Sequence, residues 1–127
     1  MQAFRIVMIG AGETGAPLLQ QLLQSGFIQV AGVADLNLDL PGIALAREHG
    51  VPVSDNFMDF VRQGEEVDII IDVTGVAKVR EQLRQYMVES GNTHTLIMHE
   101  RIALLMMSLS AGKLVDGKHG TQAYAYN

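Results

Sequence analysis

The chain has 127 residues, the length of one domain, and 48% of them are hydrophobic, enough to form a buried core. A net charge of −5, with lysine and arginine scattered along the chain, argues against a nucleic-acid-binding surface, and the absence of cysteine excludes disulfides and thiolate chemistry. The first apolar stretch, Phe4–Ile9, is too short for a signal peptide or a membrane span, so we expect a cytoplasmic protein that binds neither nucleic acid nor membrane.

Short apolar runs alternate with helix-periodic segments, which is the pattern of βαβ units in a parallel sheet. The five predicted strands are Phe4–Ile9, Ile28–Ala34, residues 51–53, residues 67–73 and the run from Thr95 to Met98. The fourth run is β-branched and nearly continuous, as expected for a strand that helices cover on both faces.

Five helices are predicted between and after these strands. They are a leucine-striped helix over residues 18–23, a short helix over 44–49, a helix that Asp55 caps and Gly64 ends, a helix over 79–87 closed by Gly91, and a last helix over 102–110.

A glycine-rich segment, Gly10-Ala11-Gly12-Glu13-Thr14-Gly15, joins the first predicted strand to the leucine-striped helix. It matches the pattern G-x-G-x-x-G in the strand–turn–helix context of a dinucleotide-binding turn. The first glycine permits the tight turn, the second lets the backbone approach a pyrophosphate, and the third lets the helix lie close to the strand. The helix start offers N–H groups to the phosphates. We therefore predict cofactor contacts at Gly10, Gly12, Glu13, Thr14 and Gly15.

Asp35 ends the second predicted strand about 20 residues beyond the glycine turn, where dinucleotide-binding domains carry an acidic residue. Its carboxylate can accept both hydroxyls of the adenosine ribose and would repel a 2′-phosphate. Because Leu36 and Asn37 supply no cation, NAD is favoured over NADP as the cofactor. The other interpretation of Asp35 is a strand-end cap or turn residue. Glu13 opposes tight phosphate binding unless it points to solvent, because its charge lies within the turn.

A family resemblance rests on the glycine turn, Val33-Ala34-Asp35, Ile70-Ile71-Asp72-Val73-Thr74-Gly75 and the short fifth strand. Together these segments resemble the N-terminal Rossmann domain of the glucose–fructose oxidoreductase and inositol dehydrogenase family. The sequence is also similar to the cofactor domains of homoserine dehydrogenase, aspartate dehydrogenase and dihydrodipicolinate reductase. The resemblance covers roughly residues 4–110. It implies an α/β, three-layer fold whose five-stranded, mostly parallel sheet has the order 3-2-1-4-5, with helices on both faces.

In the resembling enzymes, the loop after the fourth strand passes near the nicotinamide ribose, which implies that Val73, Thr74 and Gly75 lie at the cofactor. After the fifth strand, those enzymes carry a Glu-Lys-Pro signature whose lysine reaches the substrate. The segment here is His99-Glu100-Arg101, in which arginine, a poor proton donor, replaces the lysine. His99 and Arg101 are therefore the candidate catalytic residues, and the other interpretation of His99 is a polar residue at a strand end.

Members of that family continue into a second domain that binds the substrate. For this sequence we predict a dinucleotide-binding domain over residues 1–111 and a loose or docked tail over 112–127. The expected function is a stand-alone NAD-binding or sensing module without full catalytic machinery. The alternatives are a subunit or compact form of an NAD-dependent dehydrogenase, and a coenzyme A-binding or structural Rossmann domain. Asp35 favours NAD over coenzyme A.

The four histidines lie at no metal-ligand spacing, so no metal site is expected. Asp68 and Asp72 lie on one face of the fourth strand, and we expect Asp68 to be solvated and Asp72 to be structural.

The last helix is apolar on more than one side, although a helix on a small sheet buries only one stripe. The fifth strand also leaves an unpaired edge. We therefore predict a homodimer through the strand from Thr95 to Met98 and the helix from Ile102 to Leu109. The alternative is that the tail, with Gln122, Tyr124 and Tyr126, folds back over the same surface.

Overall fold

The computed structural model describes residues 2–117. The strands are β1 (Phe4–Ile9), β2 (Ile28–Ala34), β3 (Val53–Ser54), β4 (Ile69–Asp72) and β5 (Leu96–His99). The helices are α1 (Gly15–Leu23), α2 (Pro41–Glu48), α3 (Met58–Val61), α4 (Ala77–Ser90) and α5 (Glu100–Ala111), and one turn of 3₁₀-helix spans Gly64–Glu66.

The strands form one sheet in the order β3-β2-β1-β4-β5, and each neighbouring pair is parallel. The predicted fold class and strand order are confirmed, and the sheet is parallel throughout rather than mostly. The last residue of β1, Ile9, pairs with Ala34 of β2 and with Asp72 of β4. The segments that leave these three strands therefore begin side by side at the carboxyl ends of the strands, where open α/β proteins bind ligands.

Two hydrophobic clusters cover the two faces of the sheet, because successive strand residues point to opposite sides. Met8 of β1 belongs to the cluster that includes Leu19 of α1 and Met107 of α5, and α2 contributes to the same layer. Its neighbour Val7 belongs to the cluster that includes Leu83 of α4, with α3 beside it. Each fully buried side chain of this size contributes about 1.5–3 kcal/mol to folding. The fold is thus a three-layer sandwich.

The region from α2 to β3 differs from its prediction. Helix α2 begins at Pro41 rather than three residues later, and the N–H of Gly42 donates to the carbonyl of Ala11 at 2.8 Å. Pro41 at the first helical position favours this earlier start, and the contact with the glycine turn pairs an N–H that has no partner within the helix. The predicted strand over 51–53 was placed too early, because the N–H of Val51 still donates to the carbonyl of Ala46 at 2.9 Å. Pairing with β2 starts only at Val53.

The predicted helix cap at Asp55 is wrong. The hydroxyl of Ser54 accepts the N–H of Asn56 at 3.0 Å, and the side-chain oxygen of Asn56 accepts the N–H of Met58, also at 3.0 Å. These two contacts order the start of α3, so the Asp55 carboxylate takes no part in capping. Helix α5 likewise begins at Glu100, two residues earlier than predicted.

The described part of the predicted tail returns along α5. The N–H of Val115 donates to the hydroxyl of Ser108 at 2.9 Å, and the Val115 side chain packs against the cluster of α1, α2 and α5. The prediction for residues 118–127, including Gln122, Tyr124 and Tyr126, lies outside the described residues. Within residues 2–117, no helix has both the length and the apolar character needed to cross a membrane.

Candidate functional site

The glycine turn is held by backbone contacts that leave no room for side chains at two of its three glycines. Gly10 has φ +109°, and its N–H donates to the carbonyl of Ala34 at 2.8 Å. A Cβ at Gly15 would overlap the carbonyl oxygen of Gly10 and would lie 2.8 Å from its carbonyl carbon. At Gly12, in contrast, a Cβ would have no atom within 4 Å. The first and third glycines therefore serve the fold, whereas the second borders open space.

Asp35 ties the glycine turn to the end of β2. One carboxylate oxygen accepts the N–H of Ala11 at 2.9 Å, and the other accepts the N–H of Asn37 at 3.0 Å. Asp35 is thus a turn residue, as the structural interpretation predicts, and its carboxylate also lines the cleft described next. Because both contacts are hydrogen bonds to backbone, the carboxylate is fixed in position beside the turn.

A cleft of about 520 Å³ opens at the carboxyl ends of β1, β2 and β4. It is lined by Ile9, Gly10, Gly12, Glu13, Thr14, Gly15, Ala34, Asp35, Leu36, Leu40, Asp55, Phe57, Val73, Thr74, Val76, Lys78, Val79 and Gln82. Eight of the nine predicted cofactor-contact residues are in this lining, and Gly75 is absent from it. The candidate catalytic residues His99 and Arg101 do not line the cleft.

The cleft also contains residues that the sequence analysis did not single out as site residues. The apolar wall of the cleft is formed by Leu36 and Leu40 after β2 and by Phe57 after β3, in the segments that Asp35 and Asp55 begin. Lys78, in the first turn of α4, lies with Val76, Val79 and Gln82 on the side of β4. The strand order could have identified these residues as part of the site, since each of them follows the carboxyl end of a parallel strand.

The charges of the cleft are mostly negative. Glu13, Asp35 and Asp55 contribute carboxylates, and Lys78 contributes an ammonium group. Within residues 2–117, neither the Asp55 carboxylate nor the Lys78 ammonium group makes a hydrogen bond or an ion pair. Glu13 is exposed to solvent at the turn and also lines the cleft.

Asp72 organises the loop after β4. It is only 4% exposed, and one of its oxygens accepts both the N–H and the hydroxyl of Thr74, at 3.0 and 2.7 Å. Its second oxygen lies 3.1 Å from Nδ1 of His99 on the neighbouring strand. The Thr74 hydroxyl in turn accepts the N–H of Val76 at 3.1 Å. Asp72 is therefore structural, as predicted, and it connects His99 to the cleft wall through Thr74.

A second carboxylate–histidine pair lies at the amino ends of β4 and β5, away from the cleft. Asp68 accepts the N–H of Arg5 at 2.8 Å and lies 2.7 Å from Nε2 of His94. The hydrogen bond from the Arg5 backbone and, next, the contact with His94 lower the pKa of Asp68 below its ordinary value of 3.8. Asp68 was predicted to be solvated, but its side chain is only 15% exposed and makes these two contacts. Among residues 2–117, no three histidine, aspartate or glutamate side chains converge as a metal site would require.

Comparisons with known sequences yield relatives but no matching family model. The chain is 28% identical over 94 residues to an acetaldehyde dehydrogenase from Geobacillus stearothermophilus, and 30% identical over 91 residues to one from Thermomicrobium roseum. These matches cover 73% and 71% of this chain but only 32% and 29% of the two relatives. The chain thus spans about a third of the length of the curated relatives it matches.

Solved structures that share this architecture include an NAD complex, an NAD-binding protein and a dehydrogenase. GenD2 from gentamicin A biosynthesis, in complex with NAD, has a TM-score of 0.61 at 15% identity, covering 88% of this chain and 32% of GenD2. The NAD-binding protein from Listeria innocua has a TM-score of 0.56 at 18% identity, covering 87% and 33%. Myo-inositol 2-dehydrogenase from Lactobacillus plantarum has a TM-score of 0.52 at 14% identity, covering 86% and 42%. The predicted resemblance to Rossmann dehydrogenase domains is therefore confirmed for the fold.

Proposed function

We propose that this chain is a cytoplasmic NAD(H)-binding domain of dehydrogenase type, and that the dinucleotide lies across the glycine turn in the 520 Å³ cleft. The observation that carries the proposal is the open space at Gly12, beside a turn whose other two glycines are closely packed. The fold does not require a glycine at position 12, because an added Cβ would meet no protein atom and φ is not positive, so a ligand that approaches the backbone there explains the glycine. The NAD complex of GenD2, which has the same fold, supports this choice of ligand.

Different parts of the cleft would contact the pyrophosphate, the adenosine and the nicotinamide of the cofactor. The N-terminus of α1, at Thr14 and Gly15, would face the pyrophosphate, because the first N–H groups of a helix have no partner within it. Asp35 would accept the hydroxyls of the adenosine ribose, and the apolar wall with Phe57 would contact the adenine. The nicotinamide half would extend toward Thr74 on the side of β4. When bound, the nicotinamide supplies hydride chemistry, and the protein binds and orients it.

We propose NAD rather than NADP as the cofactor. Asp35 is fixed by two backbone N–H groups, so it cannot turn away from a 2′-phosphate without giving up those contacts. Leu36 and Asn37 follow it and offer no positive charge. The cleft's lysine, Lys78, begins α4 after β4, which lies two strands from β2.

Calorimetry of the purified chain with NAD, NADH, NADP and a coenzyme A thioester tests this proposal. We expect binding of NAD and NADH, weaker binding of NADP and none of the thioester. Binding of the thioester alone would favour the coenzyme A interpretation, and binding of none of the four would refute the proposed function.

A second candidate function is catalysis by a dehydrogenase that uses His99. The observation in its favour is the contact between the imidazole and the buried carboxylate of Asp72, which orients a histidine as proton-transferring enzymes require. The assay is reduction of NAD in the presence of acetaldehyde, the substrate named for the relatives. Turnover that His99→Gln abolishes, with unchanged NAD affinity, would establish this function; turnover unaffected by His99→Gln would exclude this role of His99.

We further propose a homodimer through β5 and α5. Leu96 on the edge strand is 69% exposed, and Leu105 and Leu109 on α5 are 57% and 74% exposed, so both elements present apolar side chains to solvent. Natural proteins cover such edges, and a twofold contact is the commonest closure. Light scattering of the full chain is expected to report a dimer that Leu105→Glu dissociates. A monomeric full chain would contradict this proposal.

A further inference from the structure

We propose that Asp55 is a second specificity residue of the cleft, which excludes dinucleotides that carry a 2′-phosphate by adding its charge to that of Asp35. This inference rests on the proposed function, because it concerns the same cleft and the same class of ligand. Asp55 would hold no part of NAD itself. Its role is to make the adenosine end of the cleft too negative for a phosphate group.

The two carboxylates follow paired residues of neighbouring parallel strands. Ala34 at the end of β2 pairs with Ser54 at the end of β3, and the N–H of Asp35 donates to the carbonyl of Ser54 at 3.1 Å. Asp35 and Asp55 are thus the first residues beyond adjacent strand ends, and adjacent strands lie about 4.8 Å apart. Both residues line the cleft.

The Asp55 carboxylate takes no part in the contacts that order the neighbouring segment. Helix α3 has only four residues, and the side chains of Ser54 and Asn56 make the contacts that order its start. Within residues 2–117, the Asp55 carboxylate makes no hydrogen bond and no ion pair. In contrast, Asp35 accepts two backbone N–H groups, so its charge serves the fold as well as the cleft. Asp55 is therefore the carboxylate whose removal changes the charge of the cleft without changing its framework.

The expected effect follows from Coulomb's law. A phosphate monoester carries a charge of about −1.5 to −2 at neutral pH. At a separation of roughly 7 Å in water, one unit charge repels it with an energy equivalent to about a fivefold change in affinity. The charge of NAD at the same position is zero, because its 2′ group is a hydroxyl. NAD and NADP share the same pyrophosphate, so loss of the Asp55 charge should strengthen NADP binding about fivefold more than NAD binding.

The experiment compares Asp55→Asn with Asp39→Asn by calorimetry, titrating the full chain with NAD and with NADP at low and at high salt. Asp39 is an exposed acid of the neighbouring loop that does not line the cleft, so its variant makes the same change in net charge. We expect the preference for NAD over NADP to fall about fivefold in Asp55→Asn, by less than twofold in Asp39→Asn, and the difference to shrink at high salt.

An unchanged preference in Asp55→Asn, or an equal fall in Asp39→Asn, would overturn the inference. An equal loss of NAD and NADP affinity in Asp55→Asn would also overturn it, because that result assigns Asp55 to binding rather than to exclusion. The proposed function fails separately, since it fails when the parent chain does not bind NAD at all. Adding Asp55→Ser keeps the test independent of how an amide packs, and the same fivefold fall is expected.

Discussion

Substitution of Gly15 by alanine tests whether the glycine turn is held as the structure describes. The new Cβ would overlap the carbonyl oxygen of Gly10 and would lie 3.5 Å from a methyl group of Val73. The carbonyl belongs to the backbone, and Gly10 is itself held by its hydrogen bond to Ala34. The overlap cannot be relieved by a change of side-chain rotamer, so the first turn of α1 must move away from β1.

The expected loss of folding free energy in Gly15→Ala is the difference between two effects. Forcing extra volume into a packed site costs about 1–3 kcal/mol, and an immobile backbone neighbour favours the upper part of that range. Alanine regains up to about 1 kcal/mol through its helix propensity. The net loss of folding free energy is therefore about 1–2 kcal/mol, which lowers Tm by roughly 3–10 °C for a domain of this size.

The assay is urea and thermal denaturation of Gly15→Ala beside Gly26→Ala. Gly26 has no atom within 4 Å of an added Cβ and no positive φ, so its variant is expected to stay within about 0.5 kcal/mol of the parent. A Gly15→Ala protein as stable as the parent would refute the described contact between α1 and the turn. Equal destabilisation of both variants would show that the loss is general to glycine replacement.

Two further predictions concern carboxylates. Asp35→Ala should lower the free energy of unfolding by about 1.5–3 kcal/mol, because the N–H of Ala11 loses a charged acceptor. Urea denaturation measures this change. Unchanged stability would contradict the role of this carboxylate in holding the turn. The pKa of Asp68 is lowered in the folded chain, so its contacts stabilise the fold above about pH 3.8 and this stabilisation is lost as the pH falls below that value. Asp68→Asn should therefore be less stable than the parent at pH 7, and the difference should disappear in acid; a difference that persists in acid would show that charge is not its source.

Local sequence signals were sufficient for much of the fold. The bounds of β1 and β2 agree with their predictions to the residue, because each is a mostly apolar run that ends at a glycine or a polar residue. The glycine turn was recognisable because its spacing and its strand–turn–helix context are both local properties of the sequence. The role of Asp35 as a turn residue was one of two interpretations that its position allowed.

The features of the fold and the cleft that were not predicted depend on contacts between segments far apart in sequence. The hydrogen bond between Gly42 in the first turn of α2 and Ala11 of the glycine turn joins segments that no local pattern connects. The place of Asp55 and Phe57 in the cleft depends on β3 lying beside β2 at the sheet edge. Whether His99 reaches the cleft was likewise a question of tertiary geometry, since its neighbour Asp72 is far away in sequence.

The central claim is that a dinucleotide lies against the backbone at Gly12, and one calorimetric comparison tests it most directly. Gly12→Val places its Cβ where no protein atom lies within 4 Å, and the position has no positive φ, so we expect the fold to be retained. Gly26→Val makes the same change at an equally open position outside the cleft. The account predicts that Gly26→Val binds NAD as the parent does and that Gly12→Val, although folded, does not. A folded Gly12→Val protein that binds NAD with the parent's affinity would contradict the claim.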